Sequence, residues 1–182
     1  MRRVRKLHAL LVSALAVLAG LAAGGCFAGY QFVEYEGALG DVRTIAIEGL
    51  RNQSLQQGVD SIISDALVTE FRRRGALRVV ENPATADLVI SGTVEDVRVS
   101  ARSFSSIEFA LEYSVTVQLK LEIKRPDGTE LDVGDRVLSD SELYFASADV
   151  EVGRKNREEA MRRIGVVLAG RLHDSLFERA VP

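Results

Sequence analysis

From Ile107 to Ile123 every odd position is apolar or aromatic, and every even position is polar or charged except Ala110. The odd series runs Ile107, Phe109, Leu111, Tyr113, Val115, Val117, Leu119, Leu121, Ile123. Period two is the repeat of a strand, so this span presents one buried and one wet face. A strand of that kind needs a sheet covered on one side only. The neighbouring segments supply the cover. Val59, Ile62, Ile63, Ala66, Leu67 and Phe71 recur at helical spacing, as do Met161, Ile164, Leu168, Leu172 and Leu176. Two amphipathic helices on one face of such a sheet make an α+β fold, a two-layer sandwich with a mostly antiparallel sheet.

The remaining elements follow from local signals. Thr44 to Glu48 reads as a short strand, followed by a polar stretch from Gly49 to Ser54. Ser54 with Gln57 three residues on matches a capping box, which starts the first helix there. Arg72, Arg73 and Arg74 suit the last turn of that helix, and Gly75 ends it. Leu77 to Val80 is the next strand, and Asn82-Pro83 turns the chain. In the long strand Leu88 to Ala101 the apolar side changes parity between Val94 and Val97, which predicts a bulge near Glu95-Asp96. Arg125 to Gly128 has turn chemistry. Leu131, Val133 and Val137 continue on a returning strand that reaches towards Phe145. The last helix starts at Ser147 or Gly153 and runs to Arg179. Unbroken, the long alternating strand spans roughly 53 Å, whereas a helix of about 25 residues reaches roughly 37 Å. Either the strand bends or is covered by a loop, or part of its apolar face outruns the helices as an exposed strip for a lipid or partner.

The N-terminus has a separate logic. Arg2, Arg3, Arg5 and Lys6 precede an almost wholly apolar run from Ala9 to Ala23, and Ala23-Gly24-Gly25 lead to Cys26. A charged start, a short apolar stretch and small residues at the cut are the parts of a secretory signal. A transmembrane helix needs roughly 18 or more apolar residues, and this run is shorter. Cys26 is the single cysteine. Its place directly after the small residues resembles the lipobox of bacterial lipoproteins, in which the thiol is diacylated and the chain is cut before it. That resemblance implies a membrane anchor, since two or more acyl chains hold stably. Phe27 stands where an Asp marks inner-membrane retention, which by the same resemblance favours the outer membrane, with the domain facing the periplasm. The expected organisation is a signal over residues 1–25, a lipidated tether over 26–42, and one α/β sandwich domain over 43–182.

Composition excludes several classes. Four of the 23 basic residues and none of the 26 acidic ones precede Cys26, leaving a net charge of −7 thereafter. A nucleic-acid binder normally shows a basic surface, so none is expected as a partner. Acylated Cys26 leaves no disulfide. His173 is the only histidine after the signal, and a place on the surface or facing the helix dipole is expected for it. Without a second histidine or a free thiol, Cys–His chemistry and typical zinc sites fall away. No GxSxG, GxxxxGK, HExxH or GxGxxG occurs, so no catalytic residue, metal or cofactor is assigned. Asp132 and Asp135, and Glu158 and Glu159, read as solvated faces, and Asn52-Gln53-Ser54 as turn and cap rather than a glycosylation site. Arg98, Arg102, Lys120, Lys124 and Arg125, on or beside the two long strands, are the candidate ligand-binding residues. Each alone fits ordinary solvent-face patterning; together they could form a patch that meets phosphates.

Cys26 followed closely by Gly29-Tyr30-Gln31-Phe32 resembles the start of the lipopolysaccharide-assembly lipoprotein family LptE. Similar elements follow in order: Thr44 to Ile47, Leu67 to Gly75, Ala86-Asp87-Leu88-Val89-Ile90-Ser91-Gly92, Leu111-Glu112-Tyr113, and Asn156-Arg157-Glu158-Glu159-Ala160. The resemblance implies a non-enzymatic outer-membrane lipoprotein seated as a plug in the LptD β-barrel. It would support assembly of that barrel and help deliver lipopolysaccharide to the outer leaflet. Only Cys26 carries over residue by residue. A rival resemblance is to lipoproteins that regulate a cell-wall synthase or form secretion-pore subunits. The 107–123 strand with its Tyr113 motif favours the first.

Overall fold

A computed structural model describes residues 39–104, 110–131, 134 and 136–178. The elements are β1 (Thr44–Ile47), β2 (Arg51–Asn52), α1 (Val59–Arg74), β3 (Arg78–Val80), a 3₁₀ turn (Pro83–Thr85), β4 (Leu88–Phe104), β5 (Ala110–Lys124), β6 (Val137–Phe145) and α2 (Val150–Glu178). They form a mixed sheet in the order β3-β1-β4-β5-β6, with β2 beside β4. β1 pairs in parallel with β3 and β4, and β2 with β4. The long ladders β4–β5 and β5–β6 are antiparallel, so most of the sheet is antiparallel. Residues 1–38, including Cys26, and residues 105–109, 132, 133, 135 and 179–182 lie outside the described residues.

The alternation on β5 does what its period requires. Val115, Val117, Leu119, Leu121 and Ile123 are buried against the helices, while Lys120 and Lys124 are exposed on the other face. On β4 the buried side holds Leu88, Ile90 and Val94, and the ladder shifts between Val94 and Asp96. Glu95 is therefore the extra residue, and the apolar side moves to Val97 and Val99. α1 supplies Ile63, Leu67 and Phe71 to the core, and α2 supplies Ile164, Leu168, Leu172 and Leu176. Asp87 ties β4 to β1 by accepting hydrogen bonds from the Arg43 and Thr44 backbone N–H groups and the Thr44 hydroxyl. Those donors, the Arg43 N–H foremost, hold its carboxyl below the usual range.

Three expectations need correction. α1 starts at Val59 with Gly58 at its N-cap and no side-chain cap. Ser54 is instead held in the preceding turn by Asn52, whose Oδ1 accepts from the Ser54 N–H and hydroxyl. Asn52 thus has the expected turn role but caps no helix. Val137 faces out and Leu138 in, the reverse of the parity that Leu131 and Val133 suggest. The cause is the register: the bridge between Lys124 and Glu130 and the pair Lys120–Val137 are four residues apart on β5 but seven on the returning chain. An odd excess turns the strand over. His173 is not at the surface either. It is 1% exposed, packed between Phe71 at 5.4 Å and Phe177 at 4.6 Å between ring centroids. Burial, then the Arg74 charge, pushes its pKa below the ordinary value.

The helix ends meet through charges. Gly75, at φ 69°, closes α1 and donates to Phe71 O, as its position predicts. Glu70 accepts from Arg73 Nε at 3.0 Å and Arg74 Nε at 2.6 Å, and Arg74 reaches Asp174 of α2 at 2.5 Å. The Arg73 hydrogen bond, assisted by Arg74 and opposed by burial, lowers the Glu70 pKa from 4.5 to about 2. A depressed carboxylate contributes stability above its unfolded pKa and loses it as pH falls through the folded one. Glu70→Gln is therefore expected to cost on the order of 2 kcal/mol at pH 7, a difference that shrinks from pH 4.5 and vanishes near pH 2 in urea titrations. A difference independent of pH would contradict this.

Candidate functional site

Among the described residues, one face of the sheet carries both helices and no element covers the other. On the open face Arg51, Thr93, Lys120 and Val137 stand in one row across β2, β4, β5 and β6. Lys124 lies two pleat repeats further along β5, with Glu122 between the two lysines. Lys124 Nζ donates to Glu122 at 2.7 Å. That bond, with the nearby charges of Lys120 and Arg51, holds the Glu122 carboxyl below its usual range, and Glu122 in turn raises Lys124. Lys124, Lys120 and Arg51 thus surround Glu122, and Glu130, which faces Lys124, is paired with Arg136, so cations outnumber carboxylates locally on a chain whose net charge is negative. Thr93, buried in the floor, and Ser91 beside it add hydroxyls to this face.

The five residues singled out by sequence do not form one patch. Lys120 and Lys124 share the open face as expected, with Arg125 at the mouth of the turn beyond them. Arg98 pairs with Thr116 across the ladder, four residues from Lys120 and so about 13 Å away. It is engaged at 2.5 Å by Asp96 of its own strand. Arg102 is exposed further along, at a second register shift between Ala101 and Ser103. Arg51 was missed, because its two-residue strand sits in the polar stretch after β1 and only the pairing to Thr93 brings it beside Lys120.

Among the described residues, no element covers the helix-side face of the long strands beyond the end of α1. α1 is about 24 Å long, whereas β4 is about 56 Å. Val99 is 43% and Leu111 50% exposed there, and Leu143 and Phe145 are exposed on the opposite face of the same end. Among the described residues, part of the apolar face is therefore exposed at this end. Tyr113 and Tyr144 stack at 5.5 Å where coverage by α2 begins. A second concavity, about 1040 Å3, lies between Ile62 and Ala66 of α1 and Arg157, Met161 and Arg162 of α2. Arg162 and Arg154 at its rim are already paired with Glu158. Among the described residues no cluster of His, Cys, Asp and Glu could hold a metal ion. Among them no helix is long and apolar enough to cross a membrane.

Comparison with known proteins places this geometry. No curated protein sequence gives a significant match. A minor lipoprotein from Acinetobacter baumannii is similar at 12% identity over 78% of this chain and 95% of that one, with a TM-score of 0.51. A protein from Xanthomonas campestris gives 13% over 76% and 87%, also at 0.51. Rare lipoprotein B from Shewanella oneidensis gives 11% over 75% and 96%, at 0.49. At such identities the two likenesses at 0.51 speak for the fold alone. The profile of the family described as LptE, lipopolysaccharide-assembly, matches residues 42–176, well over half of the 182. The chain belongs to the LptE lipopolysaccharide-assembly family.

Proposed function

We propose that this protein is an outer-membrane lipoprotein, anchored through acyl chains on Cys26 and facing the periplasm. In this reading it plugs an LptD-type β-barrel, assists the assembly of that barrel, and helps lipopolysaccharide reach the outer leaflet without catalysing a reaction. The family match over residues 42–176 carries the reading. The open face supports it chemically. Lipopolysaccharide offers phosphates beside acyl chains. Arg51, Lys120 and Lys124 offer charge for the phosphates, Arg as a two-pronged donor and Lys as a point charge. Leu143 and Phe145, exposed on the same face roughly 20 Å or more along the sheet, offer apolar contact. Of the five residues proposed from sequence, Lys120 and Lys124 are assigned to phosphate contact, with Arg51 added. Arg125 borders the group, while Arg98 and Arg102 lie outside it.

Reversing the cluster tests the assignment. Arg51→Glu/Lys120→Glu/Lys124→Glu is expected to weaken binding of purified lipopolysaccharide roughly tenfold or more. Because the cations are exposed, raising the salt is expected to weaken the wild type as well. Arg98→Glu/Arg102→Glu, with one fewer charge reversed, is the control and is expected to change binding less. Equal losses in both variants, or none in the first, would contradict phosphate capture at this cluster.

A further inference from the structure

Of the two outer strands of this sheet, β6 is the vulnerable one. It is nine residues long, whereas β3 has three and runs into Asn82-Pro83. The Leu121 N–H bonds to Arg136 O and the Ala146 N–H to Leu111 O. Even-numbered residues of β6 therefore turn their backbone groups to β5, and odd-numbered ones turn theirs outward. Val137, Leu143 and Phe145, in the odd series, are 45%, 50% and 69% exposed. A long edge with apolar side chains and outward N–H and C=O groups is a template for another strand.

Side chains of α2 take up that edge. Asn156 Nδ2 donates to Phe145 O at 3.0 Å, Arg163 Nη2 to Leu143 O at 3.2 Å and Arg171 Nη1 to Ser139 O at 3.0 Å. All three acceptors are outward carbonyls. Two carboxylates of β6 aim the arginines: Arg171 Nη2 also meets Asp140 at 3.0 Å, and Arg163 Nε meets Glu142 at 3.6 Å. The spacing has a geometric reason. Positions 156, 163 and 171 are each about two helical turns apart, so they lie on one stripe. From Asn156 to Arg171 α2 rises about 22 Å, and from Phe145 to Ser139 β6 rises about 20 Å. The stripe runs antiparallel to β6 and keeps step with its edge.

We propose that Asn156, Arg163 and Arg171, with Asp140 and Glu142, form a guard that keeps β6 closed to strand addition, and that without it β6 pairs with β6 of a second copy. The α2 side chains occupy the carbonyls an incoming strand needs, and charge on an edge strand opposes association. The carboxylates act twice. They hold the guanidinium groups in place, and left alone they would repel their own copies on an incoming β6. Asp140 and Glu142 are the only charged residues from Val137 to Phe145. Loss of all five side chains therefore leaves an uncharged edge with apolar residues on it, and a second copy brings the same edge. The guard acts with or without the barrel and the lipid.

Sedimentation of the full-length protein in detergent tests this. Asn156→Ala/Arg163→Ala/Arg171→Ala/Asp140→Asn/Glu142→Gln removes the guard. The comparison variant, Arg154→Ala/Arg162→Ala/Glu151→Gln/Glu158→Gln, also loses two cations and two carboxylates, all of which pair on α2. Neither variant changes the net charge. The guard-free variant is expected to self-associate about tenfold more tightly than wild type, or more, and the comparison variant to match wild type. In the associated form, hydrogen exchange over residues 137–145 is expected to slow. Adding Leu143→Lys to the guard-free variant is expected to reverse the association, since it returns a charge to the edge. Adding Val166→Lys, at a similarly exposed position on α2, is not. Arg171→Ala/Asp140→Asn alone frees one carbonyl, and is expected to shift association less and in the same direction; it decides the matter where the larger variant does not fold. Equal association in the guard-free and comparison variants, faster exchange over 137–145, or no added association in either guard variant would overturn the proposal.

Discussion

Gly92→Ala is expected to lower the unfolding free energy by about 2–3 kcal/mol, and Gly92→Val by more. Gly92 sits inside β4, opposite Leu121 of β5. A Cβ built there would lie 2.5 Å from the Lys120 carbonyl oxygen, 2.8 Å from Leu121 Cδ2 and 3.2 Å from Leu50 Cδ2. The leucine tips can yield by rotation. The Lys120 carbonyl is backbone of the central ladder, so the strands must part to admit the methyl. Glycine inside a strand often marks such a close approach. Lys120 belongs to the proposed phosphate cluster, so the same strain displaces the site. Urea unfolding gives the comparison, and a midpoint unchanged in Gly92→Ala would contradict the packing described.

Phe71→Ala is expected to cost about 3–5 kcal/mol, the usual range for removing a fully buried ring. Phe71 is buried at the C-terminal end of α1 and packs on His173, which packs in turn on Phe177 of α2. Its loss opens a cavity where the two helices join and lets water reach an imidazole held neutral by burial. Phe71→Leu keeps most of the volume and is expected to cost less than half as much. The pair separates packing from secondary structure, since both residues suit a helix. Equal midpoints for the two variants would contradict a cavity.

Where information was local, the sequence carried the fold. The β5 alternation from Val115 to Ile123, the parity change at Glu95 and the Arg72-Arg73-Arg74-Gly75 helix end each depend on residues within a few positions, and each is found as read, whereas Leu111 of the same odd series is exposed. The errors are long-range in origin. The flip that turns Val137 outward comes from how residues 130–137 rejoin β5. The burial of His173 is set by Phe71, a hundred residues earlier, as much as by its own helix. The candidate site divides the same way. Lys120 and Lys124 were legible because they alternate on one strand. Arg51 was not, because its place depends on a two-residue ladder to Thr93. Sequence could not separate Arg98 from the lysines either, since that distance is set by ladder register.

The most direct test of the proposed function is purification of the full-length tagged protein from outer membranes in mild detergent, with mass spectrometry of what accompanies it. A stoichiometric large β-barrel is the expected result, retained when the acyl chains are removed and lost in a variant whose domain is unfolded. A cell-wall synthase or a ring of self-copies, with no barrel, would contradict the plug reading and support the rival.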